Sequence, residues 1–252
     1  MKEWISGRNA VYEALRARRR QFFRLLIASG VEEKGRVEEI LALSAARRVP
    51  VSRVPRAQLD SLSESHQGVA LECSGYPYAT LQDILALARQ RGEPLLALGL
   101  DLIQNPQNLG TLLRSAEAVG VHGVVIPLAR AAGITPAVVQ ASSGASEHLL
   151  VAQANLAQAL ETFKEDADAW VVGLEGSSEA QPYDRVRLDG ALVLVVGNEG
   201  EGMRPLVRRH CDVLVSLPMR GRIESLNAAV AGSIMLYKAL EARTRREETA
   251  PR

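Results

Sequence analysis

The sequence has no apolar run long enough to cross a membrane. A spanning helix needs roughly 18 consecutive apolar residues, and the longer runs here, such as Ala191–Val196, have only the length of a strand. The start, Met1–Trp4, has neither the apolar stretch nor the small-residue cleavage site of a secretory signal. These absences argue against a membrane protein and an exported one, and they predict a globular protein of the cytoplasm.

Only two cysteines occur, Cys73 and Cys211, and they lie far apart in the chain. Neither belongs to a Cys-x-x-Cys or Cys/His pattern that would hold a metal or form a redox pair. We therefore expect no metal site and two thiols without a chemical role. Aromatic residues are also few, at 4%, but hydrophobic residues make up 47% of the 252 residues, which is enough for one large domain or two small ones.

The net charge of +1 conceals an uneven distribution. Residues 1–56 contain 13 Lys and Arg against 6 Asp and Glu, a net charge of +7, whereas residues 57–252 contain 17 against 23, a net charge of −6. A basic segment favours a polyanion as partner, RNA or DNA before a membrane surface. The residues alone leave a second explanation open, in which the arginines only end a solvated helix, where cations favourably oppose the helix dipole. The arginines concerned are Arg16, Arg18, Arg19 and Arg20.

The first 75 residues alternate between helical and strand patterns, which predicts a compact α/β domain over residues 1–75. The predicted elements are a helix over Asn9–Arg19, a strand over Phe23–Ala28, a helix over Lys34–Arg47 and short strands near Pro50–Val54 and Val69–Cys73. Residues 76–94 are expected to form a linker, because Gly and Pro interrupt the pattern at its start, and one helix is predicted over Leu81–Gln90.

From Leu95 onward strands alternate with helices over residues 95–245, and a charged tail, residues 246–252, is expected to be disordered. The strands are continuous apolar runs, which is typical of a mostly parallel sheet with helices on both faces. The predicted strands are Leu95–Leu100, Gly123–Ile126, Trp170–Leu174, Ala191–Val196 and Val213–Ser216, and the helices are Leu109–Val119, Pro136–Ser142, Arg204–His210 and Ser225–Ala242.

Three polar loops follow strands of this predicted sheet, where ligands bind in open α/β folds. They are Asp101–Gly110, Gly197–Gly202 and Leu217–Asn227. The glycines of the second loop follow neither the dinucleotide-binding nor the phosphate-loop order, and its Glu199 would repel phosphate but tolerate a cation such as a sulfonium. Each loop also has a structural explanation, with Asn108 or Ser225 as a helix cap and Arg114 in a surface ion pair.

At these loops the sequence resembles the SpoU, or TrmH, family of RNA ribose 2′-O-methyltransferases in the knotted SPOUT superfamily. The first family motif resembles Asn105–Gly110 continuing to Arg114, the second resembles Val195–Met203, and the third resembles Leu217–Met219 together with Ser225–Ala231. In the second motif Asn198 stands where a small residue is common, and in the third Ala228 and Ala229 replace bulkier residues.

The N-terminal part is similar to the family's small RNA-binding domain, which is like ribosomal protein L30e, through Gly7–Val11 and His66–Val69. Together with Ser143–Leu149, this arrangement most resembles the RlmB branch, whose members methylate a guanosine in the peptidyl-transferase loop of large-subunit (23S) rRNA. The resemblance implies that RNA is the partner of the basic N-terminal domain, and the candidate RNA-binding residues are Arg8, Arg16, Arg18, Arg19 and Arg20.

For the second domain the resemblance implies a trefoil knot, S-adenosylmethionine as cofactor and a homodimer with active sites at the subunit interface. The implied catalytic residues are Asn108, Arg114, Glu199, Ser225 and Asn227, and the implied cofactor-binding residues are Gly197, Leu217 and Leu226. The two leucines are equally compatible with ordinary core packing. Two alternatives stay open: the same chemistry on tRNA or another rRNA site, and an RNA-binding module without catalysis.

Overall fold

The chain folds into two compact units, and a computed structural model describes residues 2–198, 200–223 and 225–249. The first unit combines Met1–Pro77 with Ile134–His148, and the second combines Tyr78–Gly133 with Leu149–Arg252. The first unit therefore contains a segment that lies, in sequence, inside the second predicted domain.

The first unit is built on a four-stranded mixed sheet with the order β1-β4-β2-β3. Strand β4 is antiparallel to both β1 and β2, and β2 is parallel to β3. Its elements are β1 (Lys2–Ser6), α1 (Arg8–Ala17), β2 (Phe22–Ala28), α2 (Arg36–Ala46), β3 (Val51–Val54), α3 (Arg56–Asp60), β4 (Val69–Ser74), α6 (Pro136–Ala141) and a 3-10 turn (Ala145–His148).

The second unit is built on a seven-stranded sheet with the order β7-β6-β5-β10-β8-β11-β9, in which all neighbouring strands are parallel. This confirms the predicted mostly parallel α/β fold. Its elements are α4 (Leu81–Arg91), β5 (Leu96–Leu100), α5 (Pro106–Ala118), β6 (Gly123–Ile126), β7 (Val151–Gln153), α7 (Leu156–Ala167), β8 (Trp170–Leu174), β9 (Gln181–Pro182), a 3-10 turn (Tyr183–Arg185), β10 (Leu192–Val196), α8 (Pro205–His210), β11 (Val213–Ser216) and α9 (Ala228–Thr249).

Helices α4, α5 and α7 of the second unit begin at residues that satisfy their first backbone N–H groups. Thr80 and Asp83 form a reciprocal capping box at the start of α4. Asn155 accepts a hydrogen bond from the backbone of Gln158 at the start of α7, and Asn105 caps α5, where Pro106 occupies the first helical position. These caps fix where each helix leaves its preceding loop.

The central strands are buried on both faces, as the continuous apolar runs predict. Every residue of β5, β6 and β10 is buried. Helices α4 and α7 complete one core with Ile84, Leu160 and Phe163. Because the strands are parallel, their carboxyl ends meet along one edge of the sheet. Because both faces are covered, the loops at that edge are the part of the sheet that a ligand can reach.

The segment Ile134–His148 packs within the first unit through a buried ion pair. The guanidinium of Arg20 donates to both carboxylate oxygens of Glu147 at 2.7 and 2.8 Å, and both side chains are almost completely buried. The hydroxyl of Tyr76 donates to the carbonyl of Ser146 at 3.1 Å. The sequence placed this segment in the second domain; the difference arises because Glu147 neutralises an arginine of the first.

Other differences concern elements that were not predicted and the bounds of the linker and tail. Strands β1, β7 and β9 and helices α3 and α7 are additional to the predicted elements, and the expected linker contains α4, whose Ile84 and Leu85 are fully buried. Helix α9 continues to Thr249, so the first residues of the expected disordered tail, 246–249, are helical. Residues 250–252 of that tail lie outside the described residues.

Candidate active site

The three predicted loops lie at the same edge of the seven-stranded sheet. Asp101 follows β5, Gly197 follows β10 and Leu217 follows β11, each directly after its strand ends. Strands β5 and β10 are neighbours, and β11 lies two positions beyond β10. Because the strands are parallel, the loops converge as predicted, in the position where α/β folds bind ligands.

The first loop leads into α5 and places two candidate residues along that helix. The cap of α5 is Asn105, whose Oδ1 accepts a hydrogen bond from the backbone of Gln107 at 2.8 Å. Asn108 lies within the first turn, so the interpretation of Asn108 as the cap was wrong. Arg114 lies further along the same helix with an exposed side chain. Since Asn105 does the capping, the Asn108 amide is available for another role.

That role is a contact with the third loop. The Nδ2 of Asn227 donates to the Oδ1 of Asn108 at 3.1 Å, while the Oδ1 of Asn227 accepts from the backbone N–H groups of Ala229 and Val230 at 3.0 and 3.1 Å. Asn227 is therefore the cap of α9, and the alternative that Ser225 caps this helix was wrong. Ser225 is exposed beside it. Two candidate catalytic residues separated by 119 positions thus meet through their amides.

Helices α5 and α9 pack closely behind this contact. The hydroxyls of Ser115 and Ser233 are 2.7 Å apart. A methyl group added at Gly232 would lie 2.6 Å from the side chain of Leu112, closer than carbon atoms approach in proteins. Leu112 would have to move to admit a side chain at Gly232, so glycine at this position lets the helices that lead from Asn108 and Asn227 pack closely.

The second loop is a tight turn closed by its own backbone. Asn198 and Gly202 exchange two backbone hydrogen bonds of 3.0 Å, and the side chain of Asn198 accepts from the backbone of Gly200 at 2.9 Å. A Cβ at Gly197 would lie 2.4 Å from the carbonyl carbon of Gly202. Gly197 is thus required by the turn itself. Glu199, the catalytic candidate of this loop, lies outside the described residues.

Two further polar contacts join the first and second loops. The carboxylate of Asp101, fully buried, accepts hydrogen bonds from the backbone N–H and the guanidinium of Arg204, each at 2.7 Å. The Nδ2 of Asn198 donates to the carbonyl of Leu102 at 3.0 Å, and Leu102 has a left-handed backbone with φ of 60°. The sequence analysis assigned no role to Asp101 or Arg204, although a carboxylate directly after a buried strand is a recognisable signal.

The two candidate cofactor-binding leucines are neither core residues nor fully exposed. Leu217 and Leu226 are both half-buried, so part of each side chain stays accessible. Leu217 and Gly197 each follow a strand at the same edge of the sheet. Partly exposed apolar side chains and a tight glycine turn are compatible with an adenosine-containing cofactor, so the chemistry of these three residues fits S-adenosylmethionine.

The five candidate RNA-binding arginines fall into three environments. Arg16 and Arg18 are exposed at the end of α1, and Arg8 is half-exposed at its start, held by Gln67. Arg19 is half-buried and donates to the hydroxyl of Tyr76 at 2.9 Å. Arg20 lies in the interior, where Glu147 occupies its guanidinium, so its assignment to an RNA-binding surface is corrected to a structural role.

One arginine of this surface was missed by the sequence analysis. Arg47, at the end of α2, has two guanidinium nitrogens, Nε and Nη1, that are buried without a hydrogen-bond acceptor among the described residues. Burial, together with the positive charge of Arg18, lowers the pKa of Arg47. The ends of α1 and α2 therefore bring guanidinium groups of like charge together, which adds to the basic character of this face.

Both thiols lie in surroundings that keep them protonated. Burial raises the pKa of Cys73 to about 12 and that of Cys211 to about 12, so neither is a thiolate nucleophile at neutral pH. Among residues 2–198, 200–223 and 225–249, no group of three His, Cys, Asp or Glu side chains is placed to hold a metal ion. Within the same residues, none of the helices has the length and apolar character needed to span a bilayer.

Comparison with known proteins extends over both units. Residues 95–237 match the SpoU rRNA Methylase family, and residues 4–79 match the family described as RNA 2′-O ribose methyltransferase substrate binding. A protein of Bacillus subtilis (strain 168), YacO, assigned to the TrmH family of tRNA/rRNA methyltransferases, is 40% identical over 245 residues, covering 96% of each chain.

Solved structures share the fold. The SpoU methyltransferase AviRb from Streptomyces viridochromogenes, in complex with AdoMet, superimposes with a TM-score of 0.81 at 22% identity, covering 97% of this chain and 91% of AviRb. An AdoMet-bound rRNA methyltransferase from Sinorhizobium meliloti gives a TM-score of 0.75 at 24% identity, covering 99% of this chain and 88% of the other. Similarity in sequence and in fold thus extends over nearly the whole chain.

Proposed function

The chain belongs to the SpoU rRNA methylase family of S-adenosylmethionine-dependent RNA methyltransferases, and on that premise we propose that it methylates a ribose 2′-hydroxyl of RNA. The hydrogen bond between Asn108 and Asn227 carries the proposal. It joins the first and third loops, and Arg114 and Ser225 are both exposed. We assign these four residues to one polar surface that binds a ribose.

The proposed reaction needs a positioned methyl donor and a ribose oxygen that loses its proton. When bound, S-adenosylmethionine supplies the methyl group on a sulfonium, and Gly197, Leu217 and Leu226 are the residues that would hold it. An arginine guanidinium stays protonated at neutral pH, so Arg114 is assigned electrostatic stabilisation of the developing alkoxide and a hold on the neighbouring phosphate. The proton leaves to another acceptor or to water.

The two asparagines and Ser225 are assigned positioning and contact roles. The Oδ1 of Asn227 is used by the cap of α9 and its Nδ2 by Asn108, so Asn227 holds Asn108 in place. Asn108 is assigned contact with the ribose through its side-chain amide, and the exposed hydroxyl of Ser225 can orient the target 2′-hydroxyl. Glu199 stays in the proposal as an anchor for Arg114 or for the ammonium group of the cofactor.

The proposed substrate is large-subunit rRNA, with a guanosine in its peptidyl-transferase loop as the target. The match of residues 4–79 to a substrate-binding family supports an RNA partner for the first unit. Arg8, Arg16, Arg18 and Arg19 are the proposed contacts, since phosphate contacts from arginine supply most of the affinity for RNA. The resemblance of Ser143–Leu149 to the RlmB branch favours the rRNA target, and we place the activity in the cytoplasm, as the sequence predicts.

The proposed assembly is a homodimer, and an exposed apolar stripe on α9 supports it. Val230, Ile234 and Tyr237 follow one another at helical spacing and are 47%, 38% and 53% exposed. Three large apolar side chains on one helix face are a costly surface for a monomer in water. A second copy of the chain would cover them next to the loop that carries Asn227.

The test is tritiated methyl transfer from S-adenosylmethionine to unmodified large-subunit rRNA and to bulk tRNA, with Arg114→Ala as the control. Ribose methylation of one rRNA guanosine that is lost in the variant would support the full proposal. Transfer to tRNA would overturn the substrate and leave the chemistry. Cofactor binding without transfer to either RNA would favour a catalytically silent RNA-binding module.

A further inference from the structure

A small cavity opens beside the first loop. Its volume is about 260 Å³, and its lining includes Leu128, Arg130, Asn155 and Arg204. Leu128 and Arg130 follow β6, and Asn155 follows β7. In the strand order β6 and β7 lie on one side of β5, whereas β10 and β11, which precede Gly197 and Leu217, lie on the other. Leu128, Arg130 and Asn155 therefore come from the β6–β7 side of β5, and Arg204, which follows the second loop, closes the cavity from the other side.

The loop that follows β6 and lines this cavity is hydrogen-bonded to the first loop. The backbone N–H of Ala132 donates to the carbonyl of Ile103 at 2.9 Å. The side-chain amide of Gln104 donates to the carbonyl of Arg130 at 3.3 Å. Arg130 itself has a left-handed backbone, with φ of 59°. These bonds hold the cavity directly next to the loop that leads to Asn108 and Arg114.

The two arginines of the cavity differ in whether a carboxylate compensates their charge. Arg204 is paired with the buried carboxylate of Asp101, so most of its charge is compensated. The guanidinium of Arg130 makes no ion pair or hydrogen bond in the part of the chain that the structure describes, and its side chain is exposed. One uncompensated cation beside a neutral pair makes the cavity attractive to a monoanion such as a phosphodiester.

The other notable side chain is apolar. Leu128 is 71% exposed, the largest exposure among the large hydrophobic residues of the described chain. An exposed leucine beside an unpaired arginine offers one surface for a nucleobase and one for a phosphate. The volume lies below the roughly 300–1,000 Å³ that pockets for whole small molecules occupy, which suits a single nucleotide unit of a longer chain.

From this arrangement we infer that the cavity between Leu128 and Arg130 binds a nucleotide of the RNA substrate that flanks the methylated ribose. Arg130 contacts its phosphate and Leu128 packs against its base. The inference rests on the proposed function only in taking RNA as the substrate. It adds a binding site on the second unit to the arginines of the first.

The experiment compares Arg130→Ala, Arg130→Lys and Leu128→Ala with the wild-type enzyme. Arg89→Ala is the matched control, because Arg89 is exposed on the same unit in the last turn of α4, which leads to the opposite edge of the sheet. Binding of large-subunit rRNA and of tRNA is measured at several salt concentrations, together with S-adenosylmethionine affinity by calorimetry and the KM for RNA.

We expect Arg130→Ala to weaken RNA binding roughly tenfold and to lower the salt dependence by about one counterion, as loss of one phosphate contact does. Arg130→Lys should keep part of the affinity. Leu128→Ala should weaken binding roughly fivefold without changing the salt dependence, because an apolar contact releases no counterion. Cofactor affinity should stay at the wild-type value in all variants, and Arg89→Ala should behave as wild type.

Wild-type RNA affinity and salt dependence in Arg130→Ala would overturn the inference, and so would an equal loss of cofactor affinity, which would assign Arg130 to the cofactor site. The comparison is made on whichever RNA the wild-type enzyme binds more tightly. If the wild-type enzyme methylates tRNA, or methylates no RNA that it binds, the proposed function fails while the binding comparison still decides the role of the cavity.

Discussion

The side-chain amide of Asn227 donates to the side-chain oxygen of Asn108 at 3.1 Å, and the same Asn227 caps α9. One residue therefore performs two tasks that depend on different atoms. Its Oδ1 stabilises the helix, and its Nδ2 holds Asn108. The two tasks can be separated by substitution.

Asn227→Asp should keep the cap and lose the contact with Asn108. A carboxylate accepts the N–H groups of Ala229 and Val230 and suits the helix dipole, but it has no N–H to donate to Asn108. We expect thermal stability within about 0.5 kcal/mol of wild type and a fall in kcat of roughly tenfold, the effect of about 1.4 kcal/mol. Differential scanning calorimetry and methyl-transfer kinetics measure the two quantities.

Asn227→Ala should remove both the cap of α9 and the contact with Asn108, and the missing cap should cost about 1 kcal/mol of stability. The matched control is Thr80→Ala, which removes the cap of α4 and should cost a similar amount while leaving kcat unchanged. Full activity of Asn227→Asp would show that the contact with Asn108 has no part in the reaction.

Arg114 is predicted to act by its charge. Arg114→Lys keeps a cation on α5 and should retain a measurable fraction of methyl transfer, whereas Arg114→Ala should lose about a hundredfold or more, as expected for loss of a group that stabilises a developing oxyanion. Single-turnover transfer and RNA binding are measured for both variants. Equal and complete loss in both, with RNA binding intact, would contradict stabilisation by charge alone.

Gly197 is predicted to tolerate no side chain. In Gly197→Ala the new methyl group would lie 2.4 Å from the carbonyl carbon of Gly202, so the turn that follows β10 must move. We expect a loss of about 1–3 kcal/mol of stability from this overpacking and at least a tenfold weaker affinity for S-adenosylmethionine, measured by calorimetry.

Gly221→Ala is the control for this substitution. Gly221 lies in the third loop, and a methyl group there would meet no atom of the described residues within 4 Å. It should keep wild-type stability and cofactor affinity. If Gly197→Ala binds the cofactor as tightly as Gly221→Ala does, the turn has no role in cofactor binding.

The sequence predicted the parallel sheet and the convergence of its three polar loops because both depend on local patterns. Continuous apolar strands such as Leu192–Val196 identify buried parallel strands, and parallel direction alone brings their carboxyl ends together. Strand β7 has three residues, too few for a pattern. Helix α7 has an Asn155 cap and apolar residues at helical spacing, so its signals were present and were missed.

Long-range pairing is what local patterns cannot supply. The four arginines at and just after the end of α1 look alike in sequence, yet Arg20 is buried and Arg18 is exposed. The cause is Glu147, 127 residues away. The same limit applies to the caps: Asn108 and Ser225 were plausible helix caps, but Asn105 and Asn227 perform this role.

The Arg20–Glu147 ion pair is predicted to be essential for the stability of the first unit. Burial alone would lower the pKa of Arg20, but the hydrogen bond and charge of Glu147 outweigh it and raise that pKa. Glu147→Gln leaves a buried guanidinium with less compensating charge, which costs about 3 kcal/mol. Urea unfolding measures the change, and Glu72→Gln is the comparison, because its exposed partner Arg24 makes a surface pair worth about 1 kcal/mol or less. Equal effects of the two substitutions would show that the buried pair is not needed for stability.

His122 is predicted to make the second unit less stable in mild acid. Its imidazole is buried, its Nδ1 accepts the backbone N–H of Leu96 at 2.9 Å, and its Nε2 lies 3.1 Å from Glu93. Burial lowers the pKa of His122 despite the opposing effect of Glu93. The unfolded chain therefore binds a proton at a higher pH, near the ordinary value of about 6.5, than the folded protein does. The contribution of neutral His122 to the free energy of unfolding is therefore fully present above about pH 6.5. It is lost as the pH falls toward the lowered pKa of His122 in the folded protein.

Melting temperatures measured between roughly pH 7.5 and pH 5 test this dependence, because that interval runs from above to below the ordinary pKa of histidine. His122→Asn keeps an oxygen that can accept the N–H of Leu96 but cannot be protonated in this range, so its stability should fall less steeply with decreasing pH than that of wild type. A His122→Asn variant that loses stability as steeply as wild type would assign the acid sensitivity to other groups, because the backbone acceptor is kept while the titrating ring is removed.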